Sequence, residues 1–263
     1  MKVTRETTLA NAPLLLSEFE RRTAAAPYEE KGVLFSEVFF LMAAVAQLKP
    51  TRLFESGRAR GVSTYWLGAC FPDSEIVSIE YDPTSRDVAF AAANLHASKN
   101  VQCLFGDAQK LLPTLVKPGD VVVIDGPKHF RALRLAFRLL CQHQPSAVFI
   151  HDCFQGSCER TFLERGIPGV FFSDDAEFVQ RYRGLDEPCW ALRKDLVSDE
   201  FRVPYVSHGS TSSYGPTFAC IPFSPSLNYS VLRTQLFFAG LRHRLRNSLS
   251  KWRKPANPGC GRE

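Results

Sequence analysis

The sequence contains no Cys-x-x-Cys pair, although it has 8 cysteines, and no other paired spacing of the kind that zinc sites use. It also lacks any apolar run of the roughly 18 to 20 residues that cross a bilayer, the nearest approach being residues 38–48. Its N-terminal residues lack the apolar core of a signal peptide. These absences argue against a zinc module, a disulfide scaffold and a membrane-spanning protein. They predict a protein of the reducing cytoplasm.

The composition is that of a globular protein, because 45% of the 263 residues are hydrophobic and 22% are charged. From residue 52 onward, short apolar or β-branched runs alternate with helical stretches. Such an alternation predicts βαβ units, and therefore an α/β fold whose parallel sheet is covered by helices on both faces. The predicted strands are 52–55, 75–80, 101–105, 120–125 and 147–151, and the predicted helices are 62–70, 85–96, 108–115 and 130–142.

The same patterns divide the chain into three segments: an N-terminal helical segment at 1–49, an α/β domain at 50–225, and a basic C-terminal helix and tail at 226–263. The first segment includes a mostly buried helix, which Pro50 ends. Beyond residue 153 the alternation is looser. The elements predicted outside the regular alternation are a helix over 33–48, a strand over 170–173, a helix over 176–182, and strands over 201–206 and 217–222 around a Ser/Gly-rich loop at 208–216.

Basic residues are concentrated at the C-terminal end, where residues 233–263 hold eight lysines and arginines but only one acid, Glu263. Apolar residues recur there near helical spacing, which indicates a basic amphipathic helix. Such a helix could pack on its own domain or on a second copy in a homo-oligomer, with its arginines in water. The alternatives are an anionic membrane surface and a nucleic acid.

All five predicted strands of the alternating region are followed by a carboxylate at or near their carboxyl ends. In an open parallel sheet these ends share one rim, and ligands bind in the crevice beside it. Acids are common wherever a strand turns into a helix, so a single one would indicate little. Their recurrence on every strand predicts a functional rim formed by Glu55, Glu80, Asp107, Asp125 and Asp152.

The loop after the first strand argues against a dinucleotide site. Starting from Gly57, the second and third glycine positions of the Gly-x-Gly-x-x-Gly fingerprint hold Ala59 and Val62. Glu55 would also repel a pyrophosphate. Its charge suits a cationic ligand that carries an amine.

Several motifs together resemble class I methyltransferases that use S-adenosylmethionine (SAM): Glu-x-Gly-x-x-x-Gly-x-Ser at 55–63, the acid Glu80, Ile-Asp-Gly at 124–126 and His-Asp at 151–152. The chain is similar, over residues 35–155, to the group that contains cephalosporin hydroxylase-like proteins and macrocin O-methyltransferase. The resemblance implies a doubly wound, mostly parallel seven-stranded sheet of the Rossmann-like methyltransferase type. It also implies methylation of a hydroxyl group on a small molecule or sugar.

The resemblance further implies positions for the cofactor. Glu55 would lie near its amino-acid end, Glu80 would hold both ribose hydroxyls, and Asp125 would lie under the sulfonium. The complete set of implied cofactor residues is Glu55, Gly57, Gly61, Ser63, Glu80, Asp107, Ala108 and Asp125.

Two routes to the removal of the hydroxyl proton are open. Asp125 and Asp152 could share a Mg²⁺ ion that acidifies the hydroxyl, although the Cys153 that follows is a poor ligand for that metal. Alternatively Lys128, in the position of the catalytic lysine of catechol-type O-methyltransferases, could act as the base after the nearby positive charge of the cofactor lowers its pKa. His129 and His151 are further candidates.

The residues leave three further alternatives open. Arg58 and Arg60 are bulky for a cofactor loop, and they either face an anionic substrate or pair with nearby acids. Together with Cys153 they would also suit a binding or scaffold protein that has lost methyl transfer. The basic tail would suit a nucleic-acid methyltransferase, but the sequence has no Asn/Asp-Pro-Pro-Tyr-like motif for amino-group methylation.

Overall fold

The computed structural model of the protein describes residues 2–26, 32–189 and 216–252, and for 243–252 the backbone alone. Its elements are α1 (Arg5–Thr23), α2 (Phe35–Val45), β1 (Arg52–Ser56), α3 (Val62–Cys70), β2 (Glu75–Glu80), α4 (Asp87–Leu95), β3 (Val101–Phe105), α5 (Ala108–Leu115), β4 (Val121–Ile124), α6 (Phe130–Gln142), β5 (Ala147–Ile150), α7 (Cys158–Gly166), β6 (Phe171–Phe172), α8 (Ala176–Tyr182), β7 (Ala219–Pro222) and α9 (Tyr229–Trp252). Short 3₁₀ turns follow α2 and α8.

The strands form one seven-stranded sheet in the order β3-β2-β1-β4-β5-β7-β6. The pairs among β1 to β5 are parallel, whereas β7 runs antiparallel to both of its neighbours. The order reverses direction beside β1, so that β1 and β4 enclose the point where a ligand crevice forms in a doubly wound sheet. The predicted fold, a doubly wound and mostly parallel sheet of seven strands, is confirmed.

Apolar side chains cover the sheet on both faces, as the continuous hydrophobic runs of its central strands require. Along β4, Val121 and Val123 pack with α1, α2 and α3, whereas Val122 and Ile124 pack with α5, α6 and α9. All eleven residues of α2 are buried, which explains why its sequence is apolar on every side. Helix α2 therefore lies directly beneath the sheet and can deliver a side chain to its rim.

Most predicted elements are confirmed, and several have the predicted bounds. Strands β4 and β5 end one residue earlier than predicted, although the amides of Asp125 and His151 still donate to carbonyls of the neighbouring strands. The predicted helix over 33–48 begins at Phe35 and changes to a 3₁₀ turn after Val45. The predicted strand over 201–206 and the loop at 208–215 lie outside the described residues.

The C-terminal helix α9 is present and packs on α6. Leu232 and Leu236 are buried in this contact, so this part of the helix lies on its own domain. No helix in the described part of the chain is long and apolar enough to cross a membrane.

Candidate active site

Four residues form one row across the carboxyl ends of the central strands. Ser56 pairs with Ile79 of β2 and Ile124 of β4, and Ile124 pairs with Ile150 of β5. The next residue of each strand therefore lies on a common line, and these are Glu80, Gly57, Asp125 and His151. The sheet thus brings Glu80 and Asp125 to the same rim, on either side of the loop that begins at Gly57.

The loop after β1 is held against the end of β4. Gly57 has φ +91°, and the amides of Asp125 and Gly126 both donate to the Ser56 carbonyl. A Cβ atom on Gly57 would lie 2.9 Å from the Gly126 nitrogen, so only glycine fits between these two backbones. Gly61, at φ +79°, likewise leaves room for Leu95 and Ala91 of α4. At both positions glycine is required because another segment of the same chain packs against the glycine backbone.

A cluster of charged side chains lies immediately beyond β4 and β5. Lys128 forms ion pairs with both Asp125 and Asp152, the second with an Nζ–Oδ2 distance of 2.7 Å. His151 Nδ1 lies 2.7 Å from the Asp125 carboxylate and 3.4 Å from that of Asp152. The structure therefore brings together four of the predicted residues, Asp125, Lys128, His151 and Asp152.

A fifth member of the cluster, Glu37 of α2, was not predicted from the sequence. Its carboxylate is buried and lies 3.3 Å from His151 Nε2. Glu37 also accepts hydrogen bonds from the backbone amides of Leu34, at 2.7 Å, and Thr217, at 2.6 Å. His151 is thus enclosed between two carboxylates, one from the N-terminal helices and one from the rim.

The pKa shifts in this cluster follow from its alternating charges. Burial alone would lower the pKa of His151, but Asp125 and Glu37 outweigh it and raise that pKa well above its usual value. Burial alone would raise the pKa of Asp125 and of Glu37. The charge of His151, joined by Lys128 at Asp125, outweighs burial and lowers both. His151 is therefore an imidazolium at neutral pH, which argues against it as the base.

The pKa of Lys128 is raised in this structure, and the lowering predicted beside a bound cofactor stays a prediction. Burial acts in the predicted direction, but the charges and hydrogen bonds of Asp125 and Asp152 outweigh it and raise the pKa. Lys128 consequently carries its proton at neutral pH until another cation competes for the same carboxylates.

Glu55 lies beneath the rim. It is fully buried, and its carboxylate accepts hydrogen bonds from Thr64 and from Ser78, the latter at 2.7 Å. Burial raises its pKa, and hydrogen bonds from Ser63, Thr64 and Ser78 only partly offset this effect. Ser63 therefore contacts another of the predicted cofactor residues.

Glu80 links the end of β2 to the first loop. One carboxylate oxygen accepts from the Ala59 amide at 2.8 Å, and the other accepts from the Tyr81 amide at 2.8 Å. These bonds fix the carboxylate at the rim beside the loop. Asp107 caps α5 by accepting from the Gln109 amide, and Ala108 is buried at the start of that helix.

The two loop arginines take different roles, a question that the sequence left open. Arg58 is buried and donates to the backbone carbonyls of Ser78 and Leu104, while its guanidinium lies over the ring of Phe105. Arg60 pairs with the Asp87 carboxylate at 3.1 Å. Pairing with a nearby acid is therefore found for Arg60, whereas Arg58 binds backbone carbonyls.

His129 is not part of the charge cluster. Its side chain is 80% exposed, and its Nδ1 lies 3.5 Å from Glu159 of α7. His129 and Lys128 both line a cavity of about 400 Å³ between α6 and α9, whose apolar lining is Phe130, Leu236, Phe237 and Leu241. The cavity lies directly beside Lys128.

Cys153 takes no part in the cluster either. Asp152 has a left-handed backbone with φ +62°, so the chain turns there and Cys153 enters the core, where its side chain is buried. His151 and Asp152 both remain beside Asp125. One ligand atom from each of Asp125, His151 and Asp152 lies within 4.8 Å of the others, which is close enough for a shared metal ion. The sequence predicted Asp125 and Asp152 as the metal ligands and did not predict that His151 would lie beside them.

Comparisons with known proteins find a matching family and several similar solved structures. Residues 54–153 match a family described as a methyltransferase domain. One similar solved structure is the SAH-bound Podospora anserina methyltransferase PaMTH1, with 17% sequence identity, coverage of 80% of this chain and 87% of that chain, and a TM-score of 0.42. A second is the O-methyltransferase TomG from Streptomyces achromogenes in complex with SAM, with 20% identity, coverage of 70% of this chain and 86% of that chain, and a TM-score of 0.41. A third is cofactor-bound Rv0187 from MTB, with 21% identity, coverage of 80% of this chain and 89% of that chain, and a TM-score of 0.43.

A comparison with curated proteins finds no match. The matched residues 54–153 span β1 to the end of β5, the part of the sheet that carries the rim described above. Residues 54–153 of this chain are therefore similar to a methyltransferase domain, and the same residues carry the motifs on which the predicted resemblance rests.

Proposed function

We propose that the protein is a SAM-dependent O-methyltransferase that acts on a hydroxyl group of a small molecule or sugar. The observation that carries this proposal is the position of Lys128, which lies between Asp125 at the cofactor rim and the cavity beside α9. A methyl donor on one side and a hydroxyl acceptor on the other would meet at this lysine.

The residues at the rim suit SAM in chemical terms. Glu80 presents two carboxylate oxygens, which its bonds to the Ala59 and Tyr81 amides hold in place, and two acceptors match two ribose hydroxyls. Asp125 is held ionised, and it supplies negative charge where the sulfonium would lie. SAM itself supplies an electrophilic methyl group.

Lys128 is the residue that we assign to the proton of the acceptor hydroxyl. Its pKa is raised by two carboxylates, so it must first lose its own proton. A second cation beside Asp125 would lower the pKa of Lys128, because the Asp125 carboxylate would then interact with two cations. Once its own proton has passed to solvent, the neutral Lys128 Nζ would take the proton of the acceptor hydroxyl as that oxygen accepts the methyl group.

Asp125, His151 and Asp152 would also fit a divalent cation. An imidazole beside two carboxylates suits Mn²⁺ better than Mg²⁺, which prefers oxygen ligands throughout. Such an ion would have to displace Lys128 from both carboxylates and the proton from His151. Once bound, it would acidify a hydroxyl that binds to it.

The cavity beside Lys128 supports a small acceptor. Its volume of about 400 Å³ lies within the range that small-molecule sites occupy. The aromatic rings of Phe130 and Phe237 form part of its lining, and Lys128 and Glu159 provide polar groups at one end. An aromatic or partly apolar hydroxyl compound would fit this lining better than a free sugar.

The first test is calorimetric titration of the protein with SAM and with S-adenosylhomocysteine. We expect binding of both, and no detectable binding of either at hundreds of micromolar would overturn the proposal. The second test compares Lys128→Arg with Lys128→Met, using a panel of hydroxylated small molecules and a readout of S-adenosylhomocysteine release.

Arginine keeps the positive charge between Asp125 and Asp152 but does not release its proton in proteins. We therefore expect both variants to bind SAM and to lose methyl transfer by about 10² to 10⁴-fold. The control is Lys117→Met, an exposed lysine just before the amino end of β4. An active Lys128→Arg enzyme would show that Lys128 acts through its charge alone.

A further inference from the structure

Helices α6 and α9 present a basic surface, one end of which borders the cavity that we assign to the acceptor. We call it the α6–α9 face and define it by nine exposed residues: Arg131, Arg134, Arg138, Val231, Arg233, Phe237, Phe238, Leu241 and Arg242. Two adjoining cavities run along it, of about 400 and 570 Å³, and they share Arg134 and Phe237 in their linings. The face therefore contains a groove that extends from Lys128 to Arg138.

The charge of this face is of one sign. The sequences of α6 and α9 contain no aspartate or glutamate. Arg134 and Arg138 hydrogen-bond to backbone or amide oxygens, and none of the five arginines forms an ion pair with another described residue. Glu159 lines the end of the groove but lies beside His129. The five positive charges are thus available to an anionic partner.

Large apolar side chains lie among these arginines. Phe237 is 59% exposed, Phe238 52%, Val231 49% and Leu241 46%. Leu232 and Leu236 bury the opposite side of α9 against α6, so the helix is apolar on both sides over this stretch. A surface helix that is apolar on both sides indicates a second contact on its outer side.

We propose that the α6–α9 face docks on an anionic lipid bilayer. Phenylalanine and leucine side chains enter the region between headgroups and acyl chains, and flanking arginines bind anionic headgroups. A second copy of the chain fits less well, because a two-fold interface would oppose arginines to arginines with no acid on either helix. Nucleic acid would match the charge but not the aliphatic Val231 and Leu241.

The basic residues continue beyond the described side chains of α9, since Arg244, Arg246 and Lys251 follow in sequence. They add positive charge and no negative charge. Four residues of the α6–α9 face, Arg131, Arg134, Phe237 and Leu241, also line the cavity that we assign to the acceptor. Vesicle binding is measured without SAM or acceptor and methyl transfer without lipid, so failure of one proposal is distinguishable from failure of the other.

The experiment is co-sedimentation of the full chain with vesicles of phosphatidylcholine alone and with vesicles that also contain phosphatidylglycerol. We expect binding to the anionic vesicles only, weakened by salt. Arg134→Gln/Arg138→Gln should weaken binding about 25-fold, at about fivefold for each arginine. Phe237→Ser/Phe238→Ser should weaken it roughly tenfold or more through lost apolar contact.

The matched controls are on other surfaces. Leu14→Ser changes a side chain that is 81% exposed on α1, and Arg21→Gln/Arg86→Gln removes two exposed arginines. Both controls should bind vesicles like the unmodified protein, and circular dichroism should show that all variants fold.

Three results would overturn the proposal. The first is equal binding to neutral and anionic vesicles, or none to either. The second is a dimer that Phe237→Ser/Phe238→Ser converts to a monomer in analytical ultracentrifugation. The third is salt-dependent binding of an RNA oligonucleotide that competes the protein off the anionic vesicles.

Discussion

Replacement of Glu37 by glutamine tests the buried charge cluster at its least accessible member. One carboxylate oxygen accepts from the Thr217 amide and hydroxyl, and the other accepts from the Leu34 amide and lies beside His151 Nε2. A glutamine side chain has only one acceptor oxygen, so one set of donors loses its partner in either orientation of the amide. His151 also loses one of its two carboxylates.

The expected cost is about 3 to 5 kcal/mol of unfolding free energy, the range for breaking a buried ion pair by removal of one partner. For a chain of this size that corresponds to a fall of roughly 6 to 20 °C in Tm. Glu18→Gln is the control, because Glu18 pairs with Arg22 one helical turn away and is 36% exposed. That exposed pair should cost no more than about 1 kcal/mol.

The pH dependence gives a sharper test than the magnitude. The raised pKa of His151 means that its contribution is complete below about pH 6.5, its unfolded value, and is lost as pH rises through the folded pKa. The lowered pKa of Glu37 means that its contribution is complete above about pH 4.3 and is lost as pH falls. The difference between wild type and Glu37→Gln should therefore be greatest between these limits.

Denaturant unfolding at several pH values, with calorimetry as a second probe, measures this difference. A loss below about 1 kcal/mol between about pH 4.3 and about pH 6.5 would refute the assignment of Glu37 to a buried ion pair. A loss that is equal at all pH values would show that hydrogen bonds alone account for the effect.

Three further predictions concern the rim. In denaturant unfolding, Gly57→Ala should destabilise the protein by about 2 kcal/mol more than Gly119→Ala. Both glycines have a positive φ, but only at position 57 would a Cβ atom press against the Gly126 nitrogen. Equal losses of stability in the two variants would contradict the packing argument. Glu80→Gln should weaken SAM binding about tenfold in calorimetry, since an amide offers one acceptor oxygen for two hydroxyls, and unchanged affinity would remove Glu80 from the cofactor site. Lys128→Met should bind Mn²⁺ at least about tenfold more tightly than wild type in titrations followed by paramagnetic relaxation, because the competing ammonium is gone; unaltered affinity would mean that the ion does not bind at Asp125 and Asp152.

The central sheet could be predicted from the sequence because each strand is a short apolar run that ends at turn residues. The carboxyl ends of parallel strands meet at one rim, so Asp125 and Asp152 could be placed together from the pattern alone. Their local geometry could not. The left-handed backbone at Asp152 turns Cys153 into the core, and aspartate adopts this conformation too seldom for the sequence to predict it.

Glu37 shows the limit of strand-by-strand prediction. It lies 114 residues before His151, in an apolar helix. The sequence of that helix predicts that Glu37 is buried, but it does not predict which residue Glu37 contacts. Arg58 is a similar case, because the choice between a substrate anion, an acid and backbone carbonyls depends on how β2 and β3 meet beneath the loop. Such contacts depend on how the elements pack together, and the periodicity of hydrophobic residues in the sequence does not predict that packing.

The contacts from α2 to the cavity form a series of five side chains whose charges alternate: Glu37, His151, Asp125, Lys128 and Asp152. With three carboxylates and two cations, the series is one positive charge short of electroneutrality. A ligand that carries a net positive charge would complete the balance, and the same ligand after it has given up a methyl cation would be neutral and would not. For the proposed SAM-dependent reaction, this charge balance would favour binding of the methyl donor over binding of the demethylated product, which is the direction that repeated turnover requires.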